Sequence, residues 1–194
     1  MSKYWEDFYK RFTETEPSGF AKWSVEKRFI KHKDFVLDLG CGNGRDTVFF
    51  DKHLHKVKGV DSAAQESNEL YIVKANIEDY IKTHTCEFSV VYARFFFHSI
   101  PYELVKKILK WCSCRLVAEF RITGDKPLLY PDHTRHLVDL DAFIEDATAL
   151  YNIVYCEHGK GIAPYKGEDP LVARIVMDRV TQWEPAAYLY STIV

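Results

Sequence analysis

The stretch VLDLGCGNGRD, residues 36–46, decides how the rest of the chain reads. An apolar run with strand character, 34–39, carries an acid near its end, Asp38, and glycines then stand at 40, 42 and 44. Glycine serves a backbone that must turn tightly or approach another group with no Cβ in the way. The pattern D-x-G-x-G-x-G differs from the dinucleotide fingerprint G-x-G-x-x-G, which would need glycine at 45, where Arg45 stands. Pyrophosphate favours helix-terminal amides without carboxylates nearby. Asp38 instead brings a negative charge suited to an ammonium or sulfonium group. Asp61 closes the next strand (KGVD), and an acid there can accept two hydrogen bonds from a ribose diol. The two acids together predict a ligand with a cationic amino-acid end and a ribose.

Working outward, strand and helix signals alternate. Strands are predicted at 34–39, 56–60, 71–75, 88–93 and 115–121, with helices at 46–53, 101–111 and 139–150. The segment 62–70 (SAAQESNEL) reads as a short helix or a loop. Two last strands, 151–157 and 171–180, have no clear helix between them and predict an antiparallel pair at one edge. Ahead of the sheet, aromatic residues at helical spacing predict two helices, broken at 17–19 (PSG). The fold class is therefore α/β: a Rossmann-like, doubly wound, mostly parallel seven-stranded sheet with an antiparallel edge strand and N-terminal helices. The expected organisation is a single domain over 1–194, with 1–32 as a helical lid and 33–194 as the cofactor-binding sheet and acceptor loops.

Composition narrows the class. The 194 residues are 47% hydrophobic and 28% charged, a soluble globular balance. A net charge of −2 does not indicate a nucleic-acid footprint, and no apolar run is long enough for membrane insertion. The charged N-terminus (MSKYWEDFYKRF) lacks the apolar core of a signal peptide. Five cysteines, at 41, 86, 112, 114 and 156, show no metal spacing: Cys112 and Cys114 are too close for a CxxC knuckle. Reduced thiols in a cytoplasmic protein are expected.

At VLDLGCGNGRD and GVD the chain resembles the class I S-adenosylmethionine-dependent methyltransferases, and the resemblance extends in strand order over nearly its whole length. It implies that Asp38 and the backbone of Gly40, Cys41, Gly42 and Gly44 hold the methionine moiety of S-adenosylmethionine, S-adenosylhomocysteine being the product. Asp61 would hold the ribose, and Asn76 and Ile77 would border the adenine, with an ordinary turn as the other reading of Asn76. Ala93, at the end of the fourth strand, and Tyr9, on the lid, complete the implied cofactor set. For the lid helices, plain packing against the sheet is an equal alternative.

The segments EFR (119–121), DHTRHLVDLDAF (132–143) and HGKGIAPYKGEDPLVARIV (158–176) resemble a narrower subset, small methyltransferases encoded with surface-glycan synthesis genes in bacteria and large viruses. Thr134 and His136 depart from its aromatic and basic residues. The subset implies O-methylation of a sugar hydroxyl on a glycan or other small-molecule acceptor, by a domain of, or partner to, a glycosyltransferase. The absence of N-P-P-[YF] after the fourth strand speaks against amino acceptors on nucleic acid or protein. An oxygen acceptor calls for a base, which contributes typically ~10²–10⁴-fold. His133 is the leading candidate, in a polar loop after the fifth strand, and His98 the second, with a structural histidine as its alternative. Arg94 stands beside the cofactor's sulfur. Glu119 and Arg121 share one face of the fifth strand; they serve the acceptor or the base, or form a buried ion pair. Arg135 could bind a carboxylate or phosphate of the acceptor. Asp132, Asp139 and Asp141 read as helix caps rather than ligands, so no obligatory metal is expected. Two other readings stay open: methyl transfer to a thiol, carboxylate or metalloid, and a non-catalytic cofactor-binding partner subunit.

Overall fold

The computed structural model describes residues 3–11, 14–53, 56–64, 71–127, 129–130, 133–165 and 167–180, with the side chains of Lys3, Leu129, Tyr130, His133 and Thr134 outside the description. Two helices, α1 (Lys3–Arg11) and α2 (Gly19–Glu26), precede the sheet. Then follow β1 (Phe35–Leu39), α3 (Arg45–Lys52), β2 (Lys56–Asp61), β3 (Ile72–Lys74), α4 (Ile77–Thr83) and β4 (Val90–Arg94). The chain continues through α5 (Tyr102–Trp111), β5 (Arg115–Arg121), a small hairpin β6 (Leu129–Tyr130) and β7 (His133–Thr134), α6 (Leu140–Thr148), β8 (Tyr151–Gly159) and β9 (Val172–Arg179). No described helix is long and apolar enough to cross a membrane.

The sheet runs β3-β2-β1-β4-β5-β9-β8. The first five strands are parallel, and β9 runs antiparallel to both β5 and β8. The expected mostly parallel, seven-stranded sheet with an antiparallel pair at one edge is thus what the chain forms. Two elements were not expected from the sequence. One is α4, which begins directly at Ile77, and the other is the β6–β7 hairpin. Of the ambiguous segment 62–70, residues 65–70 lie outside the described residues.

Parallel strands buried on both faces need apolar residues on both faces. Leu37, Leu39, Val91, Leu116, Ala118 and Phe120 belong to one core with Ile108 and Leu109 of α5 and Phe143 of α6. The alternate residues Val36, Val90, Tyr92 and Val117 belong to a second core with Phe20 of α2 and Phe50 of α3. Asp38 and Glu119, in step with that second set, therefore face α2 and α3.

A polar pin ties α2 to this face. Ser18 caps α2 by accepting from the Ala21 amide. Its own amide and hydroxyl each donate to Asp46, at 2.7 Å, and Tyr92 Oη donates to the same carboxylate at 2.8 Å. All three groups are buried. Ser18→Ala removes a helix cap and one donor from a buried carboxylate, so it should cost about 1–2 kcal/mol in denaturant unfolding.

Candidate active site

Strand order reverses between β1 and β4, and ligands in doubly wound sheets sit beyond the carboxyl ends of the strands at that switch. A cleft of about 800 Å³ opens there. Its floor is the loop after β1. Gly40, Gly42 and Gly44 all have left-handed φ, at +76°, +58° and +80°. A Cβ at Gly40 would overlap the Phe96 ring, and one at Gly42 would stand 2.5 Å from Tyr9 Oη. Gly40, Cys41 and Asn43 line the cleft, while Gly42 lies beneath Tyr9 and Gly44 is the N-cap of α3.

Four of the loop's amides already have partners. Those of Gly40 and Cys41 donate to the Val60 carbonyl, that of Gly42 to Asp61 Oδ2 and that of Gly44 to the Cys41 carbonyl. Such a loop offers little to a pyrophosphate, in line with the sequence pattern. Asp61 accepts one amide on each oxygen, from Gly42 and from Ala63. A carboxylate oxygen can accept twice, so both retain capacity toward the cleft that Asp61 lines. Burial pushes its pKa up.

Asp38 is 2% exposed and, among the described residues, accepts one hydrogen bond, from Thr47 Oγ1 at 2.6 Å. Burial first, and the Asp46 charge second, push its pKa up to about 8. The same burial, with Asp38 and Asp61 nearby, raises the Cys41 thiol and makes it a poor nucleophile. Asn76 lines the cleft, yet its side-chain oxygen accepts from the Glu78 amide at 2.8 Å as the N-cap of α4. The turn reading and the pocket reading of Asn76 therefore coexist. Ile77 lines the cleft beside it. Ala93 differs from expectation: its side chain belongs to the buried core and is not part of the cleft wall.

The opposite wall comes from β4 and β5. Arg94, Glu119 and Arg174 are cross-strand neighbours in one row of the sheet. Glu119 is 1% exposed and lies 3.3 Å from Arg94 Nε and 2.8 Å from Arg174 Nε. Arg174 in turn packs against Phe20 and Trp23 of α2. A pair between Glu119 and Arg121, the alternative reading of the two, does not form. Arg121 instead pairs with Asp125 at 2.9 Å and Glu168 at 2.6 Å. Glu119 is thus a buried anchor that sets Arg94, while Arg94 and Arg121 both line the cleft.

Phe95 joins them in a left-handed conformation, φ +53°, which a bulky residue rarely adopts. Its ring faces the guanidinium carbons of Arg94 at 4.4 Å and Arg121 at 5.6 Å. Phe96 also lines the cleft, while Phe97 turns into the core against Phe120 and Phe143. His98 is 4% exposed, in a single 3-10 turn (Phe97–Ser99) at the cleft. Its Nδ1 accepts from the Arg121 amide at 3.1 Å, so the neutral ring carries its proton on Nε2. In that tautomer His98 donates a hydrogen bond and cannot take a proton, which corrects its place as second candidate base. The backbone of His133 lies in β7, paired with Tyr130 of β6; its side chain, and all of Asp132, lie outside the described residues. Asp139 caps α6 by accepting from the Asp141 and Ala142 amides. Arg135 lines the cleft half-buried, and burial and the Arg121 charge lower its pKa.

Helix α1 covers the cleft with Tyr4, Trp5, Phe8 and Tyr9. Tyr9 is raised well above the usual phenol range by burial and by the Asp61 charge. Sequence reasoning missed Thr47, Arg174 and Glu168. Only Glu168 and Arg174 fell within a segment it had marked, 158–176.

No protein-family model and no curated protein matches this sequence. Solved structures do resemble the fold. The 1,6-didemethyltoxoflavin-N1-methyltransferase of Burkholderia thailandensis, with bound 1,6-didemethyltoxoflavin and S-adenosylhomocysteine, aligns with TM-score 0.67 and 13% identity, over 84% of this chain and 80% of its own. A SAM-dependent methyltransferase of Methanosarcina mazei aligns with TM-score 0.61 and 14% identity, over 79% and 96%. The magnesium protoporphyrin IX methyltransferase of Synechocystis PCC 6803, with bound SAH, aligns with TM-score 0.57 and 12% identity, over 80% and 79%. The chain has the Rossmann-like fold of these methyltransferases.

The raised pKa of Asp38 has a consequence for stability. Between about pH 4 and pH 8 the unfolded chain ionises this carboxyl while the folded chain keeps it protonated. Its contribution to folding is therefore fully present below pH 4 and is lost as pH rises through 8. Asp38→Asn should remove that part of the slope, and at about pH 9 the variant should be more stable than the native chain by about 1–3 kcal/mol. Denaturant melts across this pH range check it.

Proposed function

We propose that the chain is an S-adenosylmethionine-dependent methyltransferase acting on a hydroxyl of a sugar acceptor, one that carries an anionic group. The observation that carries the reading is the buried Asp38 carboxyl, held by a single hydroxyl at the end of β1. It adjoins a glycine loop in which the amides of Gly40, Cys41, Gly42 and Gly44 are already bonded. That donor set suits a cationic amino-acid end and is poor for phosphate. Asp61 retains acceptor capacity for a ribose diol, and Asn76 and Ile77 line the neighbouring wall, where an adenine would lie.

Bound there, S-adenosylmethionine would supply a sulfonium methyl for in-line transfer to a nucleophile held at near-attack distance, about 3–3.5 Å. The remaining work falls to the chain. Asp38 neutralises the ammonium, and Asp61 fixes the ribose. The α1 aromatics exclude water from the cleft as a lid. His98, its Nδ1 held by the Arg121 amide, borders the acceptor side of the cleft. Arg135, beside Arg121, is a cation whose charge an acceptor carboxylate or phosphate would relieve. His133, on the hairpin after β5, is the base that takes the hydroxyl proton.

One observation favours a second reading. The stacked aromatics of α1, such as Trp5 and Tyr9 with centroids 5.9 Å apart, suit a flat heterocyclic acceptor as well as a sugar face. The Burkholderia thailandensis protein has such a heterocycle bound.

Methyl-labelled S-adenosylmethionine offered with uronic-acid and phosphate-bearing glycosides, neutral glycosides, heterocyclic amines and thiols separates these readings. We expect label on an anionic glycoside. We also expect His133→Ala to lower turnover about 10²-fold or more while leaving S-adenosylhomocysteine affinity within twofold. Label confined to heterocycles or thiols would discard the sugar reading and leave the methyltransferase reading standing.

A further inference from the structure

Three thiols that lie apart in the sequence meet at the end of the sheet opposite the cleft. Cys86 lies in the loop between α4 and β4, Cys112 is the C-cap residue of α5, and Cys114 immediately precedes β5. The sulfurs of Cys86 and Cys114 are 3.7 Å apart, those of Cys112 and Cys114 are 3.8 Å apart, and all three lie within 4.8 Å of one another. A tetrahedral ion with metal–sulfur bonds of about 2.3 Å holds its thiolates about 3.8 Å apart. Two edges of the triangle already have that length, and the third needs only a small closing movement.

We propose that Cys86, Cys112 and Cys114 form a binding site for a thiophilic d10 cation, Zn²⁺ in the first instance, with its fourth position left to solvent. Soft thiolate sets select such ions over Mg²⁺ or Ca²⁺. The sequence reading found no metal spacing because Cys112-x-Cys114 has no knuckle; the third ligand comes from Cys86, brought alongside by the packing of α4 against α5. The backbone around each sulfur is already held. The Cys112 carbonyl accepts from Tyr151 Oη at 2.5 Å and Arg179 Nη1 at 3.2 Å, and Ser113 Oγ donates to the Cys86 carbonyl at 3.2 Å. Cys112 is buried while Cys86 and Cys114 are half-buried, so an ion can reach the cluster from solvent without unfolding the chain.

Each ligating thiol gives up its proton, so up to three protons leave as one ion enters. The ion clamps the starts of β4 and β5, whose far ends carry Arg94 and Arg121 to the cleft. Its effect is on stability, and it takes no part in methyl transfer.

The test uses the full chain, purified under reducing conditions and stripped of metal, titrated with Zn²⁺ against a chromophoric chelator and with Co²⁺ for the thiolate-to-metal charge-transfer band. We expect one equivalent bound, the charge-transfer band present, and a higher Tm with Zn²⁺. Cys86→Ser and Cys114→Ser should each weaken binding at least tenfold and abolish the Tm gain. Cys156→Ser, an exposed thiol on β8, should change neither. Circular dichroism establishes that the two ligand variants fold, and Cys86→Ala replaces either one that does not. The proposal is overturned if the reduced native chain takes up no ion, if uptake survives the Cys86→Ser/Cys114→Ser double substitution, or if the cluster forms a disulfide and still leaves metal affinity unchanged.

Discussion

A carboxyl group buried at the end of β1, with one hydroxyl as its partner, constrains everything built around it. Asp38 is shut off from water, faces a second buried acid in Asp46, and receives a single hydrogen bond from Thr47. Leaving an acid in such a place works against folding, and domains have only about 5–15 kcal/mol of net stability to lose. Such a group makes physical sense where a positive charge is to be received. The surrounding elements are consistent with that: Asp46 is held by Ser18 and Tyr92, which fixes α2 and α3 against the sheet. The loop between the two acids turns on left-handed glycines and donates amides to Val60 and Asp61 at the end of β2. The result is a floor that holds a neutral acid where a cation can draw off its proton.

The facing wall follows the opposite electrostatic rule. A row of alternating charge crosses the sheet from Arg94 through Glu119 to Arg174, each on an adjacent strand. The anion in the middle is fully buried, and the flanking arginines compensate it, one of them covered by the α2 aromatics. Buried charge is tolerated when it is paired in this way. Glu119 so sets the guanidinium of Arg94 at the cleft, next to the left-handed Phe95 and the donor face of His98. The cleft therefore carries acids where β1 and β2 end and arginines where β4 and β5 end.

Much of the fold was legible in the sequence because the strands are apolar on both faces and punctuated by glycine and acids. The β1 loop was the most legible part of the site, since Asp38, the glycines and Asp61 are local signals. What escaped were relations between strands. Nothing in E-x-R at 119–121 distinguishes an i,i+2 pair from two residues each claimed by a different strand, and the partner of Glu119 is Arg174, 55 positions on. His98 kept two readings until the Arg121 amide was seen to occupy its Nδ1. The helix α4 is only seven residues long, and its cap, Asn76, reads from the sequence either as a pocket residue or as an ordinary turn. Cys86 joins Cys112 and Cys114 only through the packing of the elements between them.

Asp38 holds a proton until a cation binds beside it and then surrenders it. The direct measurement is the number of protons released when S-adenosylhomocysteine binds at pH 7, from titration calorimetry in buffers of different ionisation enthalpy. It is made for the native chain and for Asp38→Asn. With Asp38 titrating at about 8 in the unliganded chain, the native protein should release about one proton more than the variant and bind more tightly. Equal proton counts, or equal affinity, would contradict the account.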